Sequence, residues 1–162
     1  MSISLKVAFL DRDGVINKKQ AKGDYVTSVK RFELNEDIFN VLKRLTEDGF
    51  KLIVITNQRG ISRGLMTEND LGAIHELMEL ELQKRGIEIL DIFFCPHGHN
   101  ECLCRKPKPG MLQAAAEKYN INLAESVLIS DSMHDVEMGK NFGIGKCIYV
   151  ENDKPKQFFN YY

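Results

Sequence analysis

Two aspartates stand two residues apart in Asp11-Arg12-Asp13-Gly14, directly behind the apolar run Val7-Ala8-Phe9-Leu10. The run is of strand length, which places the carboxylates at the C-terminal end of a buried strand, the edge where an open α/β sheet presents its chemistry. There, paired carboxylates can divide a covalent displacement, one attacking while the other handles protons, and the glycine lets the chain turn back sharply. Two such charges repel and raise a pKa unless a cation lies between them. Mg²⁺ suits that place, since it favours one or two carboxylates with phosphate oxygens completing its shell. For the tetrapeptide alone, a solvated Asp-Gly turn is the competing reading.

Three further polar clusters are placed like the first. Leu52-Ile53-Val54-Ile55 leads into Thr56-Asn57-Gln58, Val127-Leu128-Ile129-Ser130 leads into Asp131 with Asp135 one helical turn on, and Arg105-Lys106-Pro107-Lys108-Pro109-Gly110 opens a helix. If the strands are parallel, all these ends converge on one sheet edge and offer a nucleophile, a hydroxyl, a cationic side chain and another carboxylate.

Three of the four cysteines and two histidines crowd into residues 95–104. In a chain without an export signal, that density reads as a metal site rather than a disulfide framework. Cys95/His97 and Cys102/Cys104 form two short chelating arms for a tetrahedral Zn²⁺, and His99 competes with His97 for the histidine position. Four protein ligands leave no open coordination position, so the ion is expected to be structural and to fix Arg105 and Lys106, which follow the last ligand. Cys147, inside an apolar strand, reads as a buried core thiol.

The elements that must carry these groups follow from the hydrophobic pattern. Strands are expected at Val7–Leu10, Leu52–Ile55, Ile89–Phe94, Val127–Ile129 and Cys147–Val150, alternating with amphipathic helices: a doubly wound parallel sheet covered on both faces. Helices are expected over Asp37–Asp48, from an N-cap at Thr67 to near Gly86, over Met111–Tyr119 behind Pro109, and around Val136–Phe142, stopped by Gly143. His75 reads as a surface histidine on the second of these. The connection after the first strand runs to about two dozen residues, long for a βα loop, so residues 15–36 are expected to form a flap or small hairpin over the site.

A length of 162 residues suits one domain, here residues 1–150, followed by a tail over 151–162. In that tail Phe158, Phe159, Tyr161 and Tyr162 could pack back on the core or make an oligomer contact. A formal net charge of −1 without a long basic run argues against a nucleic-acid partner. No apolar stretch has membrane-spanning length and no signal-like leader is visible, so the expected compartment is the cytoplasm. The apolar helix stripes look used up by a single core, so the expected state is a monomer.

The segments FLDRDGVIN, TNQRGISRG, CPHGHNECLCRKPKPGM and ISDSMHD, in that order, resemble the haloacid dehalogenase-like phosphohydrolases, and within them the branch of heptose bisphosphate and histidinol-phosphate phosphatases. The resemblance implies a Rossmann-like fold without a large cap domain and a small phosphorylated metabolite as substrate. It implies that Asp11 is the nucleophile and Asp13 the proton carrier. Mg²⁺ would be held by Asp11, the Asp13 carbonyl and Asp131, with Asp135 as a buttress. Thr56 and Lys106 would grip the transferring oxygens, Arg105 a second anionic group, and Asn57, Gln58 and Arg59 the rest of the substrate. TNQRGISRG and RKPKPGM look more like the heptose enzymes; histidinol phosphate is the alternative substrate, and a phosphate-binding protein without turnover the alternative class. The chain departs from the pattern at Arg59, where a small serine is usual, and at Ser132, where a lysine often follows the aspartate. Its zinc loop is short, and extra residues precede Gly23-Asp24-Tyr25.

Overall fold

The computed structural model describes residues 3–151 together with 154 and 155. The aromatic residues of the tail lie outside the described residues. The five apolar runs form parallel strands, each at or slightly beyond its expected bounds: β1 Val7–Leu10, β2 Lys51–Asn57, β3 Ile89–Cys95, β4 Val127–Ser130 and β5 Lys146–Glu151. A short antiparallel strand, β6 Lys154–Pro155, follows β5 and was not foreseen from the sequence. The spatial order is β3-β2-β1-β4-β5-β6. The chain therefore runs outward from β1 in one direction through β2 and β3, and in the other through β4 and β5. The reversal falls between β1 and β4, the position where open α/β sheets bind their ligands.

All four residues of β1 are fully buried, as a central strand covered on both faces requires. Alternation along the strands sorts the core into two layers. Ala8, Leu10, Leu52, Val54 and Ile129 pack with Leu42 of α1 (Phe39–Glu47) and with Met78 and Leu82 of α2 (Glu68–Gln83). Val7, Phe9, Ile53, Ile55 and Leu128 pack with Leu112 and Ala115 of α3 (Gly110–Lys118) and with Val136 of α4 (Met133–Phe142). One helix pair thus covers each face of the sheet.

Register brings the polar clusters level. Leu10 pairs with Val54 and Ile129, and the Asp11 amide donates to the Ile129 carbonyl at 3.0 Å, so Asp11 leaves the sheet beside the end of β4. Thr56 and Asn57 lie opposite Phe94 and Cys95, which sets the end of β2 beside the start of the cysteine loop. The start of α2 is fixed by a reciprocal cap: the Thr67 hydroxyl accepts from the Asp70 amide, and the Asp70 carboxylate accepts from the Thr67 amide.

The connection over residues 11–38 holds two short 3-10 turns and no inserted domain, and the one over 58–67 is shorter still. Within the first, Asn17 bridges to Leu34 in antiparallel fashion, with Lys18 donating to the Glu33 carbonyl and Asn35 to that of Ile16. This is the small hairpin expected of the flap. Among the described residues no helix is long and apolar enough to cross a membrane.

His75 corrects the expectation of a surface residue: it is only 8% exposed. It falls in register with Leu71, Ile74, Met78 and Leu82, the buried stripe of α2, and its ring packs near Phe94. The reason it tolerates burial lies in the site.

Candidate active site

Asp11 and Asp13 emerge from β1 on the floor of a cavity of about 700 Å³, whose walls include the flap residues 19–26, Arg105 and Asp131. Gly14 is what lets this floor close. It adopts a positive φ of 86°, and a Cβ there would sit 2.4 Å from Asp131 Oδ2, so only glycine allows the end of β4 to bring its carboxylate against the turn after β1.

On one side of the floor lies Lys106. Its ammonium is buried between two carboxylates, 3.0 Å from Asp11 Oδ1 and 2.9 Å from Asp135 Oδ2. Ser130 donates its hydroxyl to the same Asp135 oxygen at 2.8 Å, and the Arg12 amide donates to Asp11 Oδ1 at 2.8 Å. Burial opposes the charge of Lys106, but Asp11 and Asp135 outweigh it and hold the lysine protonated, above its ordinary pKa. Asp11 moves the other way. Burial, reinforced by the charges of Asp135 and Asp131, overcomes the pull of Lys106 and pushes its pKa up to about 7. Asn57 clamps the peptide of Lys106, accepting from its amide at 2.9 Å and donating to its carbonyl at 3.1 Å, which explains how a loop residue is held so closely to position.

On the other side, the Asp13 carboxylate accepts from three side-chain donors. Arg12 Nη2 and Asn17 Nδ2 reach Oδ1 at 2.8 and 2.9 Å, and Gln58 Nε2 reaches Oδ2 at 3.0 Å. Burial would raise the Asp13 pKa, yet the charge of Arg12 and these hydrogen bonds hold it below its usual value. Arg12 is itself fully buried, and its second terminal nitrogen lies 3.2 Å from His75 Nε2. A guanidinium can only donate, so His75 accepts at Nε2 and carries its proton on Nδ1. Burial and the neighbouring Arg12 charge push the His75 pKa down to about 3, against the pull of Asp13, so the ring is neutral. The Arg12–His75 pair is the part of the site that sequence reasoning missed; the signal for it was the apolar register of His75 on α2.

The remaining residues singled out in the sequence divide by position. Asn57, Arg105, Lys106 and Asp131 line the cavity with the two aspartates. Thr56 and Gln58 are buried beneath it, the Gln58 amide bonding both Asp13 and the Thr56 hydroxyl oxygen, which leaves the Thr56 proton free to donate. Arg59 is not part of the lining, and its Nε is buried without a hydrogen-bond partner among the described residues. His134, not singled out in the sequence, does line the cavity.

Beside this floor, Cys95, His97, Cys102 and Cys104 present ligand atoms within 4.8 Å of one another, with sulfur-to-sulfur distances of 3.0–3.4 Å and His97 Nδ1 within 3.4 Å of two of the thiols. A three-thiol, one-imidazole set at these separations could hold a tetrahedral soft ion such as Zn²⁺. His99 is not among the grouped side chains. Gly110 closes the loop against α3, where a Cβ would lie 2.4 Å from the Leu103 carbonyl. The Arg105 amide donates to Cys102 Sγ at 3.3 Å, so the loop and the cavity wall share one piece of backbone.

The model of the haloacid dehalogenase-like hydrolases matches residues 5–143. The D-glycero-alpha-D-manno-heptose-1,7-bisphosphate 7-phosphatase of Photorhabdus laumondii is 38% identical over 93% of this chain and 85% of its own length. The D-glycero-beta-D-manno-heptose-1,7-bisphosphate 7-phosphatase of Escherichia coli K12 is 35% identical over 96% and 84%. Among solved structures, the D,D-heptose 1,7-bisphosphate phosphatase of B. bronchiseptica, complexed with magnesium and phosphate, superposes with a TM-score of 0.79 at 35% identity, covering 86% of this chain and 77% of the other.

Proposed function

The chain belongs to the haloacid dehalogenase-like hydrolases, and from that premise we propose that it removes the 7-phosphate of a D-glycero-D-manno-heptose 1,7-bisphosphate through a phosphorylated Asp11. The observation that carries the reading is the Lys106 ammonium buried against Asp11 at the head of β1, beneath an open polar cavity. A buried carboxylate in contact with an ammonium, beside the cavity, supports displacement at phosphorus over phosphate binding alone, which calls for no anionic nucleophile.

Asp11 attacks the phosphoryl group in line. Lys106 stays charged throughout and neutralises the oxygens that gain charge in the transition state, aided by the free proton of Thr56. Asp13 takes up a proton from solvent as substrate binds and gives it to the leaving oxygen, then recovers one from the water that cleaves the phosphorylated Asp11. Its Oδ2 carries a single donor, the neutral amide of Gln58, and is the oxygen with acceptor capacity left for the substrate.

The crowding of Asp11, Asp131 and Asp135 fits a divalent cation, as does the seat that Gly14 leaves for Asp131. Asp11, the Asp13 carbonyl and Asp131 would hold Mg²⁺, whose chemistry there would be to shield the phosphate charge from the anionic nucleophile. Zn²⁺ in the cysteine loop would be structural, held by Cys95, His97, Cys102 and Cys104, and would fix the backbone that carries Arg105 and Lys106. Arg105, on the cavity wall, takes the second phosphate of the substrate.

The test is phosphate release with Mg²⁺, comparing kcat/KM for both anomers of the heptose bisphosphate with that for histidinol phosphate. A heptose preference with loss of only the 7-phosphate is expected. Preference for histidinol phosphate overturns the substrate, and no turnover of any overturns the enzyme.

A further inference from the structure

The counter-charges of the site are unevenly tied. Lys106 is shared between Asp11 and Asp135. The cation on Asp131 comes from the flap: Lys19 Nζ lies 2.7 Å from Asp131 Oδ2, joining segments 112 residues apart in the chain. Lys19 belongs to the cavity wall, and the flap that carries it is braced by Arg31, which donates to Gln20 Oε1 at 3.0 Å and to the Asp24 carboxylate. Although half-buried surroundings penalise its charge, the hydrogen bond to Asp131 and the charges of Asp131, Asp11 and Asp13 keep the ammonium protonated.

The lysine side chain is 59% exposed, so it is held by attraction and not by packing. A divalent ion on Asp131 and an ammonium at 2.7 Å from the same carboxylate repel each other, and only the ammonium is on a flexible stem. Displaced, it remains tethered over the cavity floor, where the next anion to arrive is the phosphoryl group.

We propose that Lys19 is a tethered cation that exchanges partners: it holds Asp131 before the divalent ion binds and moves onto the substrate phosphate afterwards. It is thus a phosphate-binding residue and a competitor of the metal at once. The inference rests on the phosphatase reading of the same site.

The two roles predict shifts of opposite sign, which damage to the fold would not produce. Titration calorimetry on the full chain uses Mg²⁺ alone, then inorganic phosphate in saturating Mg²⁺. In Lys19→Met, Mg²⁺ should bind about threefold to fivefold more tightly, in keeping with the worth of an exposed ion pair. Phosphate should bind about tenfold more weakly, for loss of one charge-assisted contact. Lys19→Arg should recover most of the phosphate affinity. Both affinities unchanged would reduce Lys19–Asp131 to a surface ion pair and overturn the proposal, as would both weakening together. Wild-type protein that takes up no Mg²⁺ contradicts the phosphatase reading itself, whereas normal wild-type binding with an indifferent Lys19→Met contradicts only the role of Lys19.

Discussion

Asp11 and Asp13 share one turn of chain, yet their surroundings push them in opposite directions. Asp11 has one full cation beside it, divided with Asp135, and further carboxylates nearby; burial wins and its pKa rises to about 7. Asp13 has an undivided guanidinium and two amide donors, and its pKa falls below the ordinary value. The backbone spacing alone could not assign their jobs. The cations behind them do: Lys106 leaves the Asp11 side in want of positive charge, a place for a divalent ion, while Arg12, backed by His75, holds Asp13 as a stable anion in the resting site.

The comparison breaks most sharply at Asp11. Asp11→Asn should lower turnover by about four orders of magnitude or more, read as phosphate release. The same variant tests the raised pKa. In metal-free protein, folded Asp11 keeps a proton that the unfolded chain releases between pH 3.8 and about 7, so this group makes stability fall as pH rises through that window and the full penalty is present above it. Metal-free Asp11→Asn should therefore be more stable than wild type at pH 8, by about 2–3 kcal/mol, with the gain gone near pH 4. A variant less stable at pH 8 would contradict the burial account.

Asp13→Asn should cost about 10²–10⁴ in kcat/KM, which reports the step that expels the leaving group, for an alkyl phosphate and much less for an aryl phosphate, whose leaving group needs no proton. Equal losses of kcat/KM on both esters would show that Asp13 does not protonate the leaving group. Next in size is the cysteine loop, which bears on the Asp11 side only. Cys102→Ser should lose zinc by metal analysis and reduce kcat/KM about tenfold to a hundredfold, an amount typical of lost supporting shells. The loss is partial because the Asn57 clamp still holds the Lys106 peptide. Full zinc occupancy would refute the ligand set. The smallest effect is expected behind Asp13: His75→Leu strands a buried Arg12 donor and should cost about 1–3 kcal/mol in denaturant unfolding, whereas His75→Gln, which keeps an acceptor, should cost less. Equal costs would mean that ring packing, and not the hydrogen bond, is what matters there.

Much of this arrangement was legible in the chain because it rests on short-range signals. The bounds of β1, the Thr67–Asp70 cap and the end of α4 before Gly143 follow from runs and punctuation that local physics enforces. The convergence of Asp11, Thr56, Lys106 and Asp131 followed from assuming parallel strands, since parallel register brings their C-terminal ends to one edge. What escaped depends on pairs distant in sequence. A histidine in an apolar stripe is ambiguous until its partner is known, and Arg12 lies 63 residues away. Gln58 was expected to face substrate; its amide is spent on Asp13 and Thr56, a choice made by side-chain geometry that no spacing rule encodes.

The most direct measurement is a rapid-quench experiment on Asp13→Asn with Mg²⁺ and a ³²P-labelled aryl phosphate. Here Asp11 can still attack while the hydrolysis that needs the Asp13 base is slowed. The account predicts acid-stable label in stoichiometric amount on the protein, and peptide mapping that places it on Asp11. Turnover with no protein-bound label at any quench time, or label on another residue, would contradict the covalent role of Asp11 and with it the division of labour between the two aspartates.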